Sequence, residues 1–271
     1  MDHKLIYSLQ NVSSKPLNNL SGAYFAVGEQ MDPRFGGNCI AKSLEVVEIC
    51  HEYSKGGGID CEMYPLSVQT MIAAKTHRAC LITDSQGRQY FFDPSFYMAE
   101  PVLISDDLLC DEIEVSCINP CQFPAVFYSD ISLFGTTSNF DLSWSVETPY
   151  REYEFSYKYN IADLDLVLPT PDIADRTRSA MPNCFLRFLN TEDGFLYCLQ
   201  YMSFSGRIIL KPHFTSKMYY LDENNYLLKK LISQMELSLN LTESEIRRFF
   251  LDSHEIVQDA NVIWSRKDAI K

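Results

Sequence analysis

An α+β fold is what the order of patterns along the chain predicts: one helical segment near residue 40, a long succession of short strand patterns, and two helical segments at the end. Composition agrees. Aromatic residues make up 13% of the 271 residues, with 16 Tyr and 17 Phe against only 11 Gly and 12 Pro. Aromatics suit the half-buried surface of a sheet. At 46% hydrophobic and 22% charged the chain belongs with globular proteins, because that apolar content offsets the entropy lost on folding.

The elements follow in order. The first 35 residues read as polar and irregular, with room for a helical turn or two and no strong period. Asp32 to Gly37 is a break: Pro33 restricts Asp32, and Gly36-Gly37 admit backbone angles closed to other residues. A helix is expected from Asn38 or Cys39 to about Tyr53, with Ile40, Leu44, Val47 and Cys50 at helical spacing, Asn38 as N-cap and Gly56-Gly57-Gly58 as the stop. A short strand is expected over Ile59–Leu66. Thr76–Thr83 and Arg88–Asp93 then flank Asp84-Ser85-Gln86-Gly87 as a hairpin. Further strands are expected near Ile113–Cys117, Ala125–Tyr128, Tyr150–Tyr159, Phe185–Phe188, Phe195–Met202 and Arg207–Leu210. Helices close the chain, over Glu223–Met235 and from Thr242, where Thr242 and Glu245 form a capping box.

Charge and cysteine usage narrow the classes. The 36 acidic and 23 basic residues give a net charge of −13, which disfavours non-specific nucleic-acid binding, since that needs a basic surface to displace counterions. No apolar run has the length of a membrane span, and MDHKLIYSLQ is no signal peptide, so a soluble cytoplasmic protein is expected, with neither nucleic acid nor membrane as partner. The 9 cysteines are odd in number and irregularly spaced, which fits buried thiols in a reducing compartment, with room for one active thiol. Cys110, Cys117 and Cys121 lack the paired spacing of a zinc site, and no metal is expected. His51 reads as a helix C-terminal cation, and His213 and His254 have no local partners.

Gly36-Gly37-Asn38-Cys39 at a helix start carries the most chemistry. A cysteine there sits at the positive end of the helix dipole, which favours the thiolate, and the glycines leave room for a substrate carbonyl near the amides. For an arbitrary cysteine the plainer reading is simple packing. The hairpin shifts the balance. A cysteine nucleophile needs an imidazole to take its proton, and the imidazole needs a carboxylate to orient it. If Ser85-Gln86-Gly87 form a three-residue loop with left-handed Gly87, Asp84 pairs with Arg88 and Ala79 faces Asp93. His77 is then the diagonal neighbour of Asp93 on the same face, within side-chain reach. A loop one residue shorter or longer would turn Asp93 to the other face.

These residues resemble the arylamine N-acetyltransferases, part of a wider cysteine-nucleophile group that includes transglutaminases and papain-like proteases. The likeness rests on Gly-Gly-x-Cys, on His77-Arg78-Ala79-Cys80-Leu81-Ile82 and on Arg88-Gln89-Tyr90-Phe91-Phe92-Asp93, with 38 residues from Cys39 to His77 and 16 from His77 to Asp93. It is specific over Gly36 to Phe96. The chain departs from the pattern at Arg34, displaced by one position, and at Ser95 and Tyr97, where the family has glycines. The resemblance implies a helical N-terminal part (1–75), a central antiparallel β-barrel-like part carrying the His–Asp hairpin (76–165) and a C-terminal α/β lid (166–271). It also implies a thiol acyltransferase with Cys39 as nucleophile, His77 as base and Asp93 as its orienter.

On that reading the donor is an acyl thioester of coenzyme A or an acyl carrier protein, acting as co-substrate with no tightly bound cofactor, and the acceptor is a small-molecule amine. Gly37, Asn38, Phe96 and Tyr97 are the substrate-binding candidates, with burial in the core the competing reading for Phe96. Both donors are anionic, so a chain this acidic must grip them locally, and Arg34 and Arg78 are the nearby cations. A transglutaminase-like or papain-like enzyme acting on a protein or peptide is the alternative use of the same residues.

Overall fold

The computed structural model describes residues 1–55, 67–73, 77–104, 113–115, 131–135, 139–147, 152–160, 164–165, 184–189, 196–212, 217–224 and 226–268. The chain divides into two compact units, each built from two stretches of sequence: Met1–Ser14 with Cys39–Leu168 (unit 1), and Lys15–Asn38 with Pro169–Lys271 (unit 2). The partition expected at 75/76 and 165/166 differs from this one in that the N-terminal residues are shared between both units.

Unit 1 begins with α1 (His3–Ser14), whose Leu5, Leu9 and Val12 are buried at helical spacing. Its second helix, α2 (Cys39–Ser54), buries Ile40, Lys42, Ser43, Val46 and Cys50. Of the positions expected from apolar spacing, Ile40 and Cys50 are buried and Leu44 and Val47 half-buried, with Lys42, Ser43 and Val46 taking the other inward places. Three strands follow: β1 (Ser67–Ala73), β2 (His77–Thr83) and β3 (Gln89–Phe92). With β4 (Val102–Ile104) and β5 (Leu164–Asp165) they form an antiparallel sheet in the order β5-β1-β2-β3-β4. A second antiparallel sheet orders β6 (Ile113–Glu114), β7 (Ile131–Gly135), β8 (Asn139–Glu147) and β9 (Glu152–Asn160) in sequence. The core of the unit gathers Leu5, Leu9, Val46, Cys50, Leu81, Phe91, Phe92 and Leu133.

Unit 2 carries β10 (Leu17–Asn18), α3 (Ser21–Val27), β11 (Phe185–Leu189), β12 (Leu196–Met202), β13 (Arg207–Pro212), β14 (Tyr219–Tyr220), α4 (Tyr226–Leu239) and α5 (Glu243–Asp268). Its strands form one antiparallel sheet in the order β10-β11-β12-β13-β14. Its core is aromatic and aliphatic, with the Phe35 and Phe249 rings stacked at 3.7 Å and Phe250 and Trp264 fully buried. The capping box at α5 forms as expected: the Thr242 amide donates to Glu245 Oε2 at 2.8 Å and the Glu245 amide to Thr242 Oγ1 at 3.2 Å.

The fold is thus α+β with antiparallel sheets. Among the described residues no sheet closes into a barrel, which corrects the barrel-like centre. Closure requires edge strands long enough to pair, and β4 and β5 have only 3 and 2 residues. The opening residues, read as irregular, hold two helices. The Ile59–Leu66 and Ala125–Tyr128 strands and the Gly56–Gly58 stop lie outside the described residues, as do Cys61, Cys110, Cys117, Cys121 and His213. Among the described residues no helix is long and apolar enough to cross a membrane.

Candidate active site

The turn ahead of Cys39 is set within unit 2. Asp32 caps the short turn Pro33–Phe35 by accepting the Arg34 amide at 2.9 Å. Gly36 then takes φ 67, and a Cβ there would lie 1.9 Å from the Pro16 carbonyl oxygen, so only glycine fits. The Gly37 amide donates to that same carbonyl at 3.3 Å, and the Asn38 amide to Ser21 Oγ at 3.0 Å. The glycines are expected to leave room for a substrate carbonyl; on the Gly36 side that room is taken by the Pro16 carbonyl. Arg34 is also engaged, bonded to Asp32 at 2.7 Å and Glu245 at 3.0 Å.

Unit 1 brings Cys39, His77 and Asp93 together. The hairpin has the register that Gly87 foreshadows. Gly87 has φ 78, the Asp84 amide donates to the Arg88 carbonyl at 3.0 Å, and Thr83 pairs with Gln89 and Cys80 with Phe92. His77 opens β2 and Asp93 follows β3, on one face. Asp93 is 0% exposed, and His77 Nε2 donates to its Oδ2 at 2.5 Å. The carboxylate only accepts, so the Nε2 proton faces it and Nδ1 is left for the Cys39 side chain, which hydrogen-bonds the imidazole.

Asp93 is fully engaged. Its Oδ2 also accepts from the Tyr159 hydroxyl at 3.0 Å, its Oδ1 from the Ser95 amide at 3.0 Å, and its own amide donates to Met98 Sδ at 3.1 Å. Tyr159 comes from β9 in the other sheet and is 1% exposed. Burial alone would lower the affinity of His77 for its proton. The Asp93 charge and hydrogen bond, joined by the hydrogen bond and charge of Cys39, outweigh burial and push the imidazole up to about 10.

Cys39 differs from the other described cysteines. It is half-buried, whereas Cys50, Cys80, Cys184 and Cys198 are buried. Burial pushes Cys50 up to about 12, Cys184 up to about 11, and Cys80 and Cys198 upward as well, so these stay protonated thiols.

Phe96 is half-buried and makes a T-shaped ring contact with His77, 5.5 Å between centroids. Tyr97 is 4% exposed with φ 56, and its ring lies under the Lys42 ammonium at 5.1 Å. Arg78, on the opposite side of β2 from His77, is buried at 5%. Sequence reasoning missed Tyr159 and Lys42. Tyr159 alternates with Tyr157 and Phe155 along a recognised strand, but nothing local ties it to Asp93, 66 residues away. Lys42 has the signal of a solvated helix position. No family model matches the chain, and no curated protein matches it.

Proposed function

We propose that this chain is a thiol acyltransferase that moves an acyl group from a thioester to an amine through an acyl-enzyme on Cys39, in an arylamine N-acetyltransferase-like setting. The observation that carries the reading is the single imidazole, His77, bonded at once to the buried Asp93 carboxylate and to Cys39. An imidazolium held this firmly stabilises the thiolate beside it.

The thiolate attacks the thioester carbonyl carbon, a C–S bond to Cys39 forms, and the donor's thiol leaves with the proton of His77. The amine then attacks the acyl-enzyme, the new C–N bond replaces the C–S bond, and neutral His77 takes the proton released from the amine nitrogen. That restores the thiolate–imidazolium pair. Asp93 holds the ring and its charge throughout, and Tyr159 and Ser95 hold Asp93. Phe96, in T-shaped contact with the imidazole, is the residue on hand to line the acyl site. The donor is a thioester of coenzyme A or of an acyl carrier protein, the acceptor a small amine, and a reducing cytoplasmic compartment would keep the thiol available.

Intact-mass measurement after incubation with a panel of acyl-coenzyme A and acyl-carrier thioesters tests this. One acyl adduct is expected on the wild type and none on Cys39→Ala, with discharge to added amines faster than to water. Discharge to water, or to peptide lysines only, would instead assign the site to hydrolysis or protein crosslinking. No adduct from any thioester would refute the proposal.

A further inference from the structure

We infer that Lys42 is a positioning residue for this chemistry: from the helix that carries Cys39, it clamps the turn that carries Asp93. The inference rests on the acyl-transfer reading of the site.

Lys42 stands one turn beyond Cys39 on α2 and is 1% exposed. Its Nζ donates to the Ser13 carbonyl at 3.1 Å and to the Pro94 carbonyl at 3.4 Å, and it lies 5.1 Å from the centre of the Tyr97 ring. Pro94 and Tyr97 are the two ends of one feature. Pro94–Phe96 is a short 3₁₀ turn with Asp93 as its N-cap and Tyr97 as its left-handed C-cap. Asp93 accepts the Ser95 amide on its side chain at 3.0 Å and the Phe96 amide on its carbonyl at 3.3 Å. The ammonium therefore holds both ends of a turn whose first cap is the partner of His77 and whose last residue packs on the imidazole.

The chemistry suits an ammonium. It offers three donors in a tetrahedral set, so one atom can serve two carbonyls on different elements and still sit over a ring. Ser13 lies in the last turn of α1, where unsatisfied carbonyls favour a cation. An ammonium removed from water is retained only where such partners replace the water, and here they converge on the Asp93 turn. Tyr97 is a non-glycine residue at φ 56, a conformation that persists where neighbours over-determine it, and the cation over its ring is one of them. Cys39 and Lys42 share α2, so movement of that helix carries the Asp93 turn with it. Nucleophile and carboxylate stay in register.

The rate of Cys39 alkylation by iodoacetamide, followed by peptide mass spectrometry from pH 5 to 11, tests this without any acyl substrate. The titratable groups set against His77 include Cys39 from α2, Asp93 from the turn and Tyr159 from β9. In the wild type, Cys39 is expected to outpace the other cysteines, with an inflection where His77 releases its proton. Lys42→Met keeps the volume and removes the donors. It is expected to lower that inflection by about one pH unit and to slow alkylation at pH 7 about 10-fold, because the carboxylate no longer sits squarely on the ring. Lys42→Gln, with one amide group, is expected to fall between the two.

An inflection that stays in place would overturn the inference, and one that rises would mark Lys42 as a repelling charge and overturn it equally. Failure of both variants to fold, read by circular dichroism, would assign Lys42 to stability alone and also overturn it. A wild-type profile with no such inflection would refute the Cys39–His77 reading itself, whatever the variants do.

Discussion

Among its described residues, unit 1 takes four side chains of the Lys, His, Arg and Asp kinds out of water, Lys42, His77, Arg78 and Asp93, all under 9% exposed. Unit 2, among its described residues, buries Asn18, Asn19 and Ser253 but no charged group, and fills its interior with Phe35, Phe249, Phe250 and Trp264. Burying an ion costs several kcal/mol unless partners replace its hydration, while burying an aromatic ring is favourable outright. A chain that can build the second kind of core has no need of the first for stability alone. Three of the four charges gather in one place: His77 bonds Asp93, and Lys42 reaches the Pro94 carbonyl of the turn that follows it, while Arg78 is buried on the opposite side of β2.

Three experiments would break or sharpen that contrast. Asp93→Asn has the largest expected effect. Oδ2 accepts from both His77 and Tyr159 while Oδ1 accepts from Ser95, and a carboxamide has one oxygen for these three donors. Acyl-adduct formation on Cys39 should fall on the order of 10⁴-fold. A loss under tenfold would mean that the buried charge of unit 1 serves something other than Cys39. Phe250→Ala comes next. It should cost about 3 kcal/mol or more of stability in urea unfolding, through the cavity it leaves in an apolar core. A loss under 1 kcal/mol would show that the aromatic interior of unit 2 is not what holds it.

The effect on pH dependence is the smallest when taken per pH unit. His77 binds its proton up to about 10 in the folded chain, against an ordinary value of 6.5. Between those values the folded state holds a proton that the unfolded state has released, so stability falls as pH rises. The slope is at most about 1.4 kcal/mol per pH unit. Thermal melts at pH 6, 8 and 10 should show a steeper decline for the wild type than for His77→Gln. Parallel declines would remove the pH signature from unit 1.

What could be read in the sequence was local. Gly87 and the Asp84–Arg88 spacing foretold the register that puts His77 and Asp93 on one face, and Thr242 and Glu245 foretold the start of α5, because each is decided within a few residues. Leu5, Leu9 and Val12 had the spacing of α1 all along, masked by the polar residues between them. Tyr159 and Lys42 were out of reach for a different reason. Their roles depend on which strand faces which turn, and that is decided by packing. Gly36 shows a third case: its need for glycine is legible in the sequence, but the cause, the Pro16 backbone crowding it, is not.

The division of the chain into interleaved units has a consequence for its synthesis. Made from the N-terminus, α1 emerges before any of the strands it will share a unit with, and β10 before its partner β11, which lies beyond all of unit 1. Neither N-terminal segment can be completed on the spot. Unit 1 can close once residue 168 is free of the ribosome, but β10 must wait for its sheet partner β11 until the last third of the chain appears. The segment that hugs Gly36 is thus among the first to be made, while the strand that pairs with it in the sheet is among the last.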